Sequence, residues 1–133
     1  LGLTVAIEPL RRQECNIINS AAEGLTLARA VNTAQIKLLI DFYHLKAEGE
    51  SCQIIKEACD QICHVHLAKP DGRGFPALAD LAIYQEFFDS LAAVEYQERI
   101  SIEAYSQDYR NDAANSLSFL RNFIHDEKRV LES

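Results

Sequence analysis

Short apolar runs alternate with longer amphipathic stretches along this chain, and the alternation repeats four times. LTVAIEP, IKLLIDF, ICHVHLA and RISIEAY are brief, apolar and rich in β-branched residues, which predicts strands near residues 3–8, 36–41, 62–67 and 99–104. IKLLIDF is apolar on both faces, as a strand inside a parallel sheet must be. A helix is expected after each run. Ser20-x-x-Glu23 is a capping box opening a first helix that carries Ala21, Leu25, Ala28 and Val31, with Asn32 as its stop. A second helix is predicted to hold Ile55, Ala58, Cys59 and Ile62 on one stripe. KPDGRGFP is a loop. A third helix, capped by Asp80, presents Ile83, Phe87 and Leu91, and a fourth, from near Asp112, presents Ala113, Leu117, Leu120 and Ile124. The charged end DEKRVLES is expected to fray.

The ends of the apolar runs carry the chemistry. Glu8 closes the first and Asp41 the second, while His66 and Glu103 lie within the third and fourth, at intervals of 33, 25 and 37 residues. Burying a carboxylate is costly unless a partner or a metal meets it. In α/β barrels the downstream ends of parallel strands converge on one face. Four such ends at the period of a βα repeat therefore predict one shared site, and favour half of an eight-unit barrel over a small open sheet. Crossovers are right-handed in both folds, and the chain lacks the GxGxxG of a dinucleotide-binding strand–helix turn. Three carboxylates and one imidazole suit one Mn²⁺, Mg²⁺ or Co²⁺, with Zn²⁺ acceptable.

Composition narrows the partners. The 133 residues make one domain, 1–133, with 48% hydrophobic and 25% charged residues. A net charge of −7 argues against phosphate-backbone binding, and Arg11–Arg12 is the only basic pair before the tail. No apolar run approaches the roughly 18 residues of a membrane span. The chain opens directly in a strand and contains no Met, so a processed or truncated piece is expected, its missing part upstream, and the expected compartment is cytoplasmic. The cysteines Cys15, Cys52, Cys59 and Cys63 are then expected as reduced, mostly buried hydrophobes rather than disulfides or a zinc site with His64. His64 is expected to point toward the helices as a core histidine. Tyr43 and Tyr105 either line a pocket or pack.

IEPLRRQECN, LLIDFYHL, HVHLAKPDGR and ISIEAY together present E-x5-E, D-x2-H, H-x-H and E in one order. On these elements the chain resembles the C-terminal half of the sugar-phosphate isomerase/epimerase superfamily, the xylose isomerase-like TIM barrels, and among them the D-tagatose 3-epimerase-like enzymes. The resemblance implies that Glu8, Asp41, His66 and Glu103 ligate one divalent ion. It also implies that Glu8 and Glu103 act as base and acid on a small sugar substrate, and that Glu14 and His44 approach that substrate. The implied activity is isomerisation or epimerisation of a sugar or sugar phosphate by proton transfer through an enediolate. The chain departs from the family at Gly72, where an Arg is usual. Arg73, one place later, is the candidate contact to a phosphate or hydroxyl.

Asp41-x-x-His44 also resembles metal-dependent endonucleases of the endonuclease-four type, but AKPDGRGFPALADLA contains no His and the charge disfavours DNA. A dehydratase or an aldose–ketose isomerase would use the same ligands. A non-catalytic alternative is a folded fragment that self-associates as a homo-oligomer. A half-barrel leaves the edges of LTVAIEP and RISIEAY open and is expected to expose an apolar inner layer, including Val5 and Ile100.

Overall fold

The computed structural model describes residues 2–124, so DEKRVLES lies outside the described residues. Strands β1 (Val5–Ile7), β2 (Ile36–Asp41), β3 (Ile62–Leu67) and β4 (Ile100–Ile102) form one sheet in the order β1-β2-β3-β4, all parallel. Strand neighbours in space are neighbours in sequence. That is the arc of a barrel, unlike a doubly wound sheet, whose order reverses at a switch point.

Helix α1 (Ala21–Val31) begins as its sequence dictates. Ser20 accepts a hydrogen bond from the Glu23 N–H at 3.1 Å, while the Glu23 carboxylate reaches past the cap to the Asn19 N–H at 2.7 Å. Glu50 adds a second cap from a distant loop, accepting from the N–H groups of Ala21 and Ala22. Asn32 ends the helix in the left-handed region, with φ at 51°. Ala21, Leu25 and Ala28 are buried, but Val31 is exposed.

The segment after β2 corrects the expected single helix. It forms α2 (Phe42–Ala47) and α3 (Gln53–Ala58), separated by a turn in which Gly49 has φ +68°. Cys59 sits exposed in a 3₁₀ turn, and Ile62 belongs to β3. In α4 (Leu81–Ala93), Tyr84, Phe87, Phe88, Ser90 and Leu91 are buried while Ile83 is exposed. The Asp80 carboxylate accepts from the Ala77 N–H instead of from the helix. Helix α5 (Tyr109–Leu120) starts earlier than Asp112, because Asp108 caps it through the Asn111 N–H. It buries Ser116 and Phe119 and leaves Leu117 exposed, and it ends at Leu120, so Ile124 lies beyond the helix and is exposed. Aromatic packing carries this side of the core. Phe42 stacks on Tyr84 at 4.3 Å between ring centroids, and Tyr84 meets Phe119 edge-on.

An irregularity in the β2–β3 pairing decides which residues face inward. Leu38 pairs with Ile62 but Leu39 with His64, so Cys63 is an extra residue on β3. Ile62, Val65 and Leu67 then pack into the helix-side core, and His64 shares the opposite face with His66. This corrects the helix-facing His64, since residues two apart on a strand share a face. His64 Nε2 lies 3.0 Å from Ser101 Oγ, and its ring centroid is 5.0 Å from that of His66. The inner layer is accordingly more polar than expected. Ala6, Lys37, Leu39, His64 and Ser101 share it by register, whereas Ile100 packs against the helix-side core. Val5 is exposed at the edge strand.

Gly24 is where α1 crosses the sheet closely. A Cβ there would lie 2.7 Å from Leu38 Cδ1 and 2.8 Å from the Pro9 ring. Leu38 is fully buried and the Pro9 ring is rigid and buried, so neither yields easily. Gly24→Ala should therefore destabilise the fold by about 1–2 kcal/mol, overpacking outweighing the gain of about 1 kcal/mol in helix propensity. A lowered urea midpoint at unchanged m-value is the expected result; a raised midpoint would contradict the close crossing.

Candidate metal and substrate site

Asp41 is both the last residue of β2 and the N-cap of α2. Its Oδ1 accepts from the Tyr43 N–H at 2.7 Å and, more weakly, from the His44 N–H at 3.4 Å. Its Oδ2 is buried without a partner. Register places Asp41 beside His66, and the other two strands bring Glu8 and Glu103 to the same end of the sheet. One donor atom from each of Glu8, Asp41, His66 and Glu103 can be chosen so that all four lie within 4.8 Å of one another. Ligands on opposite sides of a small divalent ion stand about 4.2 Å apart at metal–oxygen distances near 2.1 Å. The four donors thus fit an ion with only slight contraction, and the orphaned Asp41 oxygen is the kind of atom such an ion satisfies.

His66 Nδ1 stands at the focus of the carboxylates. Glu8 Oε1 is 3.2 Å from it, Glu103 Oε2 3.8 Å and Asp41 Oδ2 3.9 Å. The hydrogen bond that His66 Nδ1 donates to Glu8 raises the imidazole above its ordinary value, and the same bond holds Glu8 below its own. Burial pushes the Asp41 carboxyl up. A proton on Nδ1 therefore occupies the direction in which a cation would be held.

The expected substrate residues border this cluster. His44, on α2, is buried, and its Nε2 is 4.0 Å from Glu14 Oε2. Glu14, in the β1–α1 loop, takes Arg11 Nε at 2.6 Å and Arg73 at 3.2 Å. Burial raises its carboxyl, but these guanidinium contacts outweigh burial and hold it below the usual range. Arg73 reaches Glu103 at 2.5 Å as well, so it bridges the first and last βα units. Its loop is strapped to the end of β4 by the Tyr105 N–H, which donates to the Arg73 carbonyl at 2.8 Å. The Arg73 side chain is only 15% exposed, so it is no freely solvated loop arginine. Tyr43 is buried and takes both Arg11 and Arg73 over its ring, at 4.8 and 4.9 Å, while Tyr105 stands exposed. The four cysteines are unbridged.

Sequence reasoning missed Asn19, Glu48 and Glu50, which shape the β1–α1 loop. The Asn19 amide donates to the carbonyls of Leu10 and Cys15, and Glu48 accepts from the Arg12 N–H and guanidinium. Only the position of Asn19 directly before a cap hinted at any of this.

The chain belongs to the xylose isomerase-like TIM barrel family, which it matches over residues 1–123. It is 33% identical over 107 residues to a probable ketose 3-epimerase of Synechocystis sp., covering 78% of this chain and 36% of that protein. It is 28% identical over 127 residues to an L-ribulose 3-epimerase of Methylomonas sp., covering 94% of this chain and 44% of the relative. In three dimensions it resembles a D-allulose 3-epimerase from Methylomonas sp. with a TM-score of 0.83 at 24% identity, over 92% of this chain and 49% of that one. The chain thus spans from about a third to half the length of these relatives, and its four strands are half of a xylose isomerase-like barrel.

Protons and a divalent ion should compete here in a measurable way. An ion needs His66 and Asp41 deprotonated, and both sit above their ordinary values, so Mn²⁺ binding should strengthen as pH rises through neutrality. Metal-free stability runs the other way. The His66 contribution is fully present below its unfolded value of 6.5 and is lost as pH rises through the raised folded value; the Glu8 contribution is lost only as pH falls below 4.5 through its lowered one. Thermal midpoints in chelator should decline above neutrality while the increment given by Mn²⁺ grows. A Mn²⁺ increment that shrinks with rising pH would refute the four-residue site.

Proposed function

We propose that this chain supplies the metal-binding and proton-transfer residues of a sugar epimerase or isomerase, of the kind its relatives named ketose 3-epimerase and L-ribulose 3-epimerase suggest. The observation that carries the reading is the convergence of Glu8, Asp41, His66 and Glu103 around a buried, unpartnered carboxylate oxygen. These four would hold one Mn²⁺, Mg²⁺ or Co²⁺, with Zn²⁺ compatible, and the ion when bound would polarise a substrate carbonyl. Glu8 and Glu103 come from the first and last strands and approach the cluster from opposite sides. One would take a carbon-bound proton adjacent to the carbonyl, and the other would return a proton to the opposite face, with an enediolate between. Glu14, His44 and Arg73 would hold substrate hydroxyls. Arg73 is already drawn to the carboxylates on both sides of the cavity.

The net charge of −7 favours a neutral or metal-bridged sugar over a nucleic acid. The described residues contain no helix long and apolar enough to cross a membrane, and the cytoplasm is the compartment this reading assumes. Glu8→Gln and Glu103→Gln, made in the enzyme with a complete barrel, should each lower ketose epimerisation by at least about 10²-fold. Near-normal turnover in either variant with metal still bound would remove that residue from proton transfer.

The isolated chain is proposed to be a homo-oligomer. Among the described residues the outer edges of β1 and β4 have no strand partner, and unpaired parallel edges invite strand addition. Light scattering at micromolar concentration should report a dimer or larger. A strictly monomeric, soluble species would count against association through these edges.

A further inference from the structure

We infer that the β1–α1 loop selects the tautomer of His44, and that Glu48 is the positioning residue that keeps the loop in place to do so. The Arg11 backbone N–H donates to His44 Nδ1 at 3.2 Å. A ring nitrogen that accepts carries no proton, so the neutral ring bears its hydrogen on Nε2. Nε2 is buried, has no hydrogen-bond partner, and faces Glu14 Oε2 at 4.0 Å.

That arrangement matters for what can bind. An N–H and a carboxylate separated by 4.0 Å form a donor–acceptor pair, suited to one hydroxyl that accepts from His44 and donates to Glu14. The other tautomer would set two acceptors against each other and leave the Arg11 N–H without its bond. Backbone geometry, not the imidazole itself, thus sets the polarity of this corner of the cavity.

The loop is held over His44 from outside. Glu48 follows α2 directly. Its Oε1 accepts from the Arg12 N–H at 2.8 Å and its Oε2 from Arg12 Nε at 3.2 Å. Arg12 is the neighbour of the donating residue, so this clasp fixes the Arg11–Arg12 peptide against the helix that carries His44. Glu48 itself is mostly shielded, at 15% exposure, and touches none of the four candidate metal ligands. The use of the donor in gripping a hydroxyl rests on the sugar-site reading, whereas the tautomer does not.

Long-range ¹H–¹⁵N correlation spectra of the imidazoles test the inference on the metal-free chain, at a pH of about 8, where imidazoles in general are neutral. The chain has four histidines, and a His44→Gln spectrum assigns the relevant one. The wild type should show His44 as the Nε2–H form in about tenfold excess, the bias of one ordinary hydrogen bond. Glu48→Ala should shift His44 toward a mixture of tautomers, while Glu48→Gln, which keeps an acceptor for the Arg12 N–H, should retain the bias. Arg11→Pro removes the donor outright and should lower the Nε2–H excess toward that of a free imidazole even if Glu48→Ala fails to fold. A predominant Nδ1–H form in the wild type, or an unchanged Nε2–H pattern in the folded variants, would overturn the inference. Neither result depends on whether the protein epimerises a sugar.

Discussion

Asp41 is 2% exposed, and only half of its carboxylate is satisfied by protein. β2 passes into α2 without a loop, so the last strand residue is also the helix cap. The cap commits Oδ1 to the first turn of α2 and turns Oδ2 toward His66. Most of the site follows from that single placement. Tyr43 becomes the platform for Arg11 and Arg73, and His44 comes to lie under the β1–α1 loop. The cost of a buried carboxylate is thereby converted into a demand for a cation.

The protein meets that demand in part with its own groups. Glu8, Asp41, Glu103 and Glu14 are drawn around one imidazole and one guanidinium, from His66 and Arg73. These two cannot compensate equally. Arg73 touches only the two outer carboxylates, and Asp41 Oδ2 remains without a hydrogen bond. His66 Nδ1 lies within 4.0 Å of all three strand-end carboxylates but hydrogen-bonds only Glu8, whereas a compact divalent charge would engage all three at once. The His66 imidazole, held above its ordinary value first by its hydrogen bond to Glu8, occupies the centre of this carboxylate cluster.

The parallel βα alternation and the four strand-end residues were legible in the sequence, because each depends on local pattern. Glu8 and Asp41 were visible as charges closing apolar runs and His66 and Glu103 as polar residues within them, and the barrel geometry supplied their expected meeting point. What was not legible depends on contacts distant in sequence or on irregularity. The extra residue at Cys63 places Ile62 among the core residues although it lies two before the inward His64, and no periodicity signals a bulge. The side of His64 itself was legible, because it lies two residues from His66. The end of α3 was hidden because Ile55, Ala58, Cys59 and Ile62 keep a helical spacing across a 3₁₀ turn and a strand start. Glu48 and Glu50 read as ordinary surface charges until the fold brings them to Arg12 and to the first turn of α1, 36 and 29 residues away.

The polar inner face changes what barrel closure would mean for this chain. An apolar inner layer would drive association by hydrophobic burial, but here Lys37, His64 and Ser101 share the face with Ala6 and Leu39. Lys37 is engaged with the Asp60 carbonyl and His64 with Ser101, so part of this polarity is satisfied within the half-barrel. Any partner that completes the sheet must therefore contribute mainly backbone pairing along β1 and β4 and polar matches inside. Apolar exposure is also found beside α1, where Ile17 in the preceding loop is 79% exposed and Leu27 is 41% exposed. Pairing along the strand edges sets register and specificity, while apolar burial is the stronger source of affinity. In this half-barrel the β1 edge offers both, through its unpaired backbone and the exposed Val5, while the face beside α1 offers apolar surface alone.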